Sequence, residues 1–165
     1  MPRLSSLGWL AFVVLSTGVT GCDHATKQLA SNHLDSGPLP LVPNVVELRL
    51  THNTDTAFGL LGNAFSPDTR WALLSALAAA ATLFVLLLVV RHWRRLGSVS
   101  RVGSALVVGG ALGNLLDRVI AGRVVDFIHV EHWPVFNVAD IAITLGVGAL
   151  LVGFERAPPA ASMPP

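Results

Sequence analysis

Asp126 and Asp140 are the two carboxylates whose setting suits acid–base chemistry. Asp126 follows Val124-Val125 and precedes Phe127-Ile128, and Asp140 precedes Ile141-Ala142-Ile143. Two carboxyl groups brought together in apolar surroundings cannot both ionise easily. They would share one proton and titrate as a pair. The ionised partner could deprotonate a water, and the protonated one could donate to a carbonyl oxygen as it becomes an oxyanion. By spacing alone, two unrelated interfacial aspartates is the more economical reading.

Other polar residues gather near the same two. Asp23 and Lys27 are four apart and share a face if their helix continues, either as an interfacial ion pair or in direct chemistry. Asp117 and Arg118 are adjacent, point in different directions on a helix and need separate partners. Arg118 has five fixed donors suited to peptide carbonyls or a carboxylate, with a structural pair to Asp23 or Asp126 as the alternative. The amides Asn53, Asn114 and Asn137 fall at a similar level. Other chemistries fit less well. His129 and His132 flank Glu131 without an evident third metal ligand, and Ser104 lies near the cytoplasmic end of its span, far from the other polar residues. Cys22 has no obvious histidine partner at its depth, and the chain contains no tyrosine.

The elements that carry these residues are membrane elements. The chain is 52% hydrophobic and 13% charged, with a mean hydropathy of +0.62. An ordinary soluble domain is about 25% charged. A water-soluble fold and intrinsic disorder are both excluded, and no basic block suits nucleic acid. One cysteine excludes an internal disulfide framework. Leu4–Cys22 and Trp71–Val90 are charge-free runs, and about 20 helical residues span a hydrocarbon core of roughly 30 Å. Two shorter apolar runs suffice if they extend into their polar ends. The expected spans are therefore 4–22, 71–90, 102–120 and 137–155.

Arg91, Arg94, Arg95 and Arg101 crowd the short link between the second and third spans, which places that link and both termini in the cytoplasm. The inner side then holds Arg3, Arg91, Arg94, Arg95, Arg101 and Arg156 against Glu155 alone, and the remaining charges, mostly acidic, lie outside. Segment 23–70 is extracytoplasmic. Val46, Leu48 and Leu50 alternate with Glu47, Arg49 and Thr51, so the segment carries a small sheet between the first two helices. Ser66-Pro67-Asp68 reads as an N-cap, a first-turn proline and a first-turn acid. The fold class is thus a membrane α-helical protein of four transmembrane helices with a small extracytoplasmic β-sheet. It forms one integral-membrane domain over 1–156, and the proline-rich tail 157–165 is disordered. Val19-Thr20-Gly21-Cys22 also resembles a loose lipobox, which would make Cys22 a lipidated N-terminus and remove the first span. An uncleaved first helix is preferred, because three further spans make a lipid anchor redundant.

Several local motifs resemble those of one family, lipoprotein signal peptidase (signal peptidase II). Asp23-His24-Ala25-Thr26-Lys27 resembles its D-x-x-T-K motif, and Gly109-Gly110-Ala111-Leu112-Gly113-Asn114-Leu115-Leu116-Asp117-Arg118 resembles G-G-A-x-G-N-x-x-D-R. Val124-Val125-Asp126-Phe127 is similar to V-x-D-F, and Phe136-Asn137-Val138-Ala139-Asp140 to F-N-x-A-D. Asn53-Thr54-Asp55-Thr56-Ala57-Phe58 resembles N-x-G-x-A-F, with Asp55 where the family usually has glycine. The resemblance implies an aspartic endopeptidase of the bacterial cytoplasmic (inner) membrane. Such an enzyme removes signal peptides from diacylglyceryl-modified prolipoproteins, cutting on the amino side of the lipidated cysteine. Asp126 and Asp140 would be the catalytic dyad, and Asn53 and Arg118 would align the substrate backbone, supported by Asn114 and Asn137. Asp23, Lys27 and Asp117 would order the site. No metal or organic cofactor is implied. The implied partners are lipidated prolipoproteins, membrane lipid and cyclic peptide antibiotics as inhibitors, and the protein is expected as a monomer with its active site at the outer face.

Two other classes are compatible with intramembrane carboxylates: a small transporter or proton-relay protein, and a structural membrane subunit. A transporter should place its ionisable groups near the midplane, whereas these crowd one side.

Overall fold

The computed structural model of the protein describes residues 3–54 and 65–155. Asp55, with the rest of its motif through Phe58, and the tail 157–165 lie outside the described residues. The element order is α1 (Arg3–His33), β1 (Leu39–Val42), β2 (Val46–Asn53), α2 (Pro67–His92), α3 (Ser98–Ala121), β3 (Val124–Val130) and α4 (Val138–Glu155). By length and composition α1, α2 and α3 can cross a membrane, and α4 is a shorter apolar helix.

The first helix does not end at Cys22. It runs to His33 as 31 residues, about 46 Å at 1.5 Å per residue, and so outreaches a hydrocarbon core of roughly 30 Å. No proline or glycine interrupts Asp23–His33, so nothing there breaks the helix. The extension also has something to bury. Ala30, on α1, and Leu34, one turn on, pack with Phe127 of β3 and with Leu48 and Leu50 of β2. Segment 23–70 thus begins as helix, and its strands β1 and β2 follow.

The sheet is antiparallel in the order β1-β2-β3. A tight turn joins β1 to β2 through Asn44, whose φ of 59° is left-handed backbone that asparagine tolerates. Among the described residues, the expected sheet between the first two helices supplies two strands. The third, β3, comes from the short segment between α3 and α4, pairing Thr51 with Asp126 and Asn53 with Val124. Its Val-Val-Asp-Phe-Ile-His-Val sequence is rich in β-branched residues, but at seven residues it is inconspicuous beside long spans.

Helix ends follow local chemistry. Ser66 caps α2, its Oγ accepting from Thr69 N at 3.3 Å, with Pro67 in the first turn and Asp68 after it. Gly122 ends α3 in the left-handed conformation (φ 70°), and its N–H donates to Arg118 O at 3.0 Å.

Helix α3 is the buried centre of the bundle and touches all three other helices. Its glycines permit this. A β-carbon on Gly109 would lie 2.6 Å from Ser16 O of α1, and one on Gly110 would lie 2.5 Å from Ala139 O of α4. Thr20 Oγ1 fixes the first contact by donating to Gly109 O at 2.9 Å. At the far end from the sheet, Phe12, Val89, Trp93, Ala105 and Val108 close the core, with Trp9 stacked on Trp93 at 4.1 Å. Apolar side chains such as Leu77, Leu83, Phe84, Leu87, Leu145 and Leu151 face outward, as lipid contact requires.

Candidate active site

Helix–sheet packing brings Asp126 and Asp140 to one place through Phe136. Phe136 bridges to Ile128, its N–H donating to Ile128 O at 3.0 Å and its carbonyl accepting from Ile128 N at 2.8 Å. The chain is thereby held against β3 just before α4 starts. Asn137 therefore arrives beside Asp126 and caps the helix that carries Asp140.

Every carboxylate oxygen of the two aspartates accepts an N–H. On Asp126, Oδ1 accepts from Asn137 Nδ2 at 2.6 Å and Oδ2 from Asn53 Nδ2 at 2.9 Å. Asn53 reaches it as a diagonal neighbour across β2 and β3, because Thr51 is the residue directly opposite Asp126. On Asp140, Oδ1 accepts from Asn114 Nδ2 at 2.8 Å and Oδ2 from Asn137 N at 3.1 Å. Asp126 is buried and Asp140 half-buried. Burial pushes the Asp126 carboxyl above its ordinary value of 3.8, and the charge of Asp140 adds to that rise. The amides of Asn53 and Asn137, with the charge of Lys27, oppose it.

The orientation of the amides is dictated from below. Lys27 can only donate, and its Nζ does so three times: to Asp23 Oδ2 at 2.7 Å, Asp117 Oδ2 at 2.8 Å and Asn114 Oδ1 at 3.0 Å. Asn114 must therefore turn its oxygen to Lys27 and its NH2 to Asp140. Asn137 Oδ1 accepts from Asp140 N at 3.1 Å, which turns its NH2 to Asp126 and to Asn114 Oδ1 (3.1 Å). The polarity of one buried ammonium thus propagates to donors on both aspartates. Asp23 adds a tie to α4, its Oδ1 accepting from Ala139 N at 2.9 Å, and Asp117 accepts from Val125 N of β3 at 3.3 Å. Lys27 and Asp23 are almost wholly buried.

The nine residues singled out from the sequence all lie in this region. The Asp23–Lys27 pair forms as the spacing suggested, because α1 continues. Asp117 joins it by pairing with Lys27. Arg118 does not pair with Asp23 or Asp126: among the described residues it makes no ion pair, and its Nη1 donates to Asn114 O at 3.2 Å. Its charged surroundings are Asp126, Asp140 and Asp117. Most of its guanidinium donors remain for another acceptor. Beside Asp140 an open groove of about 280 Å³ is lined by Trp133, Phe136, Ile141, Thr144 and Leu145. Ser104, buried, donates to Ser100 O at 2.7 Å. Sequence spacing missed the backbone donors Ala139 and Val125, because main-chain groups carry no residue signature. It also missed the indole of Trp71, which donates to Arg118 O at 2.6 Å.

A family model described as signal peptidase (SPase) II matches residues 15–155. The chain is 40% identical over 149 residues to a lipoprotein signal peptidase of Syntrophotalea carbinolica, covering 87% of this chain and 90% of that one. It is 41% identical over 152 residues to a lipoprotein signal peptidase of Acinetobacter baumannii, covering 89% and 82%. In fold it is similar to a bacterial membrane enzyme solved in meso at 2.3 Å resolution, with a TM-score of 0.70, 23% identity and 88% of each chain covered. With matches of this extent and motifs in order along the chain, the protein belongs to the signal peptidase II family, membrane hydrolases that remove signal peptides from prolipoproteins.

Proposed function

We propose that Asp126 and Asp140 are the catalytic dyad of an aspartic endopeptidase that cuts diacylglyceryl-modified prolipoproteins on the amino side of the lipidated cysteine. The observation that carries this reading is the amide cradle, with one residue, Asn137, donating to both aspartates. The dyad holds one proton. Its ionised carboxylate removes a proton from water while the water oxygen bonds to the scissile carbonyl carbon. Its protonated partner delivers a proton to the carbonyl oxygen. The tetrahedral intermediate then returns that proton to the carboxylate that gave it, the carboxyl that took the water's proton passes it to the leaving nitrogen, and the C–N bond breaks, leaving one proton on the dyad. Arg118 and Asn53 align the substrate backbone, while Asn114, Asn137, Asp23, Lys27 and Asp117 hold the dyad in place.

In the same reading all four helices span the bacterial inner membrane, with both termini cytoplasmic and the sheet and dyad at the outer face. The arginines at 91, 94, 95 and 101 support that orientation. A site at this level lets lipid hold the acyl chains while water still reaches the bond, and the apolar groove beside Asp140 suits such a substrate. The chain acts as a monomeric single domain over 1–156 and is open to cyclic peptide inhibitors at the same cleft.

Purified protein with a lipidated prolipoprotein peptide in detergent should release the signal peptide. Asp126→Asn and Asp140→Asn should each lose about 10³-fold or more of the rate. Full activity in either variant would remove the dyad assignment.

A further inference from the structure

Helix α2 contributes none of the residues of the dyad or its cradle. One of its side chains nevertheless reaches the end of α3 that carries Asp117 and Arg118. Trp71 Nε1 donates to the carbonyl oxygen of Arg118 at 2.6 Å. That oxygen also accepts the N–H of Gly122 at 3.0 Å, so both of its lone pairs are used. The indole lies over Gly122, where an added β-carbon would sit 3.8 Å from Trp71 Cδ1. The last carbonyls of a helix lack intrahelical partners and fray unless something binds them. At α3 that partner is supplied in part by another helix.

We propose that Trp71 is a positioning residue for Arg118, clamping the last turn of α3 so that the guanidinium stays aimed at the substrate backbone. This rests on the role given to Arg118 above. Among the described residues, the side chain of Arg118 is held through its Nη1 by Asn114 O, one turn back on the same helix, at 3.2 Å. Its aim therefore depends on the backbone of that turn, and Trp71 is what ties the turn to α2. The indole is 41% exposed, near the start of a span, where an amphipathic ring prefers the interface.

A double-mutant cycle separates the two roles. Trp71→Phe keeps an aromatic ring and removes the donor. It should lower kcat/KM by about five- to tenfold in the parent enzyme, mostly in kcat, and by less than about twofold in an Arg118→Lys background. A parental kcat/KM for Trp71→Phe would overturn the proposal, as would equal fold-losses in the two backgrounds. A parental rate for Arg118→Lys by itself would instead remove the substrate role of Arg118, on which the inference stands.

Discussion

Asn137 and Asp140 form a reciprocal capping pair: Asn137 Oδ1 accepts from Asp140 N, and Asp140 Oδ2 accepts from Asn137 N, both at 3.1 Å. This is the geometry of a capping box, with asparagine at the N-cap and aspartate three residues on. The same contacts that start α4 therefore fix the rotamer of Asp140. The two jobs of Asn137 can be parted. Asn137→Ser keeps an N-cap acceptor but cannot reach Asp126. It should melt within a few degrees of the parent and lose about 10²-fold in rate. Asn137→Ala should lose the rate and also about 1 kcal/mol of stability. Thermal melts and cleavage rates measured on both variants check this; a fully active Asn137→Ser would mean that the bridge to Asp126 is dispensable.

The raised pKa of Asp126 has a defined sign for stability. Burial favours its neutral form in the fold, so the folded protein binds more protons than the unfolded chain between 3.8 and the raised value. Its contribution is fully present below pH 3.8 and is lost as pH rises through the folded value. The groups facing it are Asp140, Asn53, Asn137 and Lys27, with Arg118 beside them. Melting temperature followed against pH should fall across that window in the parent, and the fall should be smaller in Asp126→Asn. Parallel curves for the two proteins would contradict the burial argument. In the proposed mechanism activity should likewise decline on the alkaline side as Asp126 loses its proton.

Lys27 is the sole cation among the described residues in direct contact with Asp23 and Asp117. Lys27→Met leaves the buried carboxylate of Asp23 and the half-buried one of Asp117 together without it. Breaking a buried pair in this way typically costs about 3–5 kcal/mol. A large drop in melting temperature is expected, with partial recovery in the double variant Lys27→Met/Asp23→Asn. Calorimetry in detergent decides it, and a parental melting temperature for Lys27→Met would refute the ordering role.

Gly113 has no room for a side chain: a β-carbon there would lie 2.5 Å from Asp23 Oδ2. Gly113→Ala should push α1 from α3 and disturb the lysine cluster, lowering both stability and activity. Gly148 is the control, because a β-carbon there meets nothing within 4 Å. Gly148→Ala should raise stability by up to about 1 kcal/mol through helix propensity alone. Equal melting temperatures for the two variants would count against the close approach.

The membrane class, the apolar helices and the polar residues of the site were legible in the sequence. Long charge-free runs have few physical alternatives, and carboxylates or amides beside such runs are conspicuous because lipid penalises them. Local rules also sufficed at Ser66 and at the Asp23–Lys27 spacing, where partners are neighbours in sequence. Tertiary structure decided the rest. Helix α1 continues to His33 because strands far along the chain bury Ala30 and Leu34. Strand β3 exists because β2 presents an edge for it, and the meeting of Asp126 with Asn53 depends on that register. Spacing alone favoured unrelated aspartates. They are brought together by Phe136 pairing with β3 and Asn137 capping α4, long-range contacts that leave no periodicity in the sequence. Sequence names the groups that lipid makes costly, and only packing decides which of them satisfy one another.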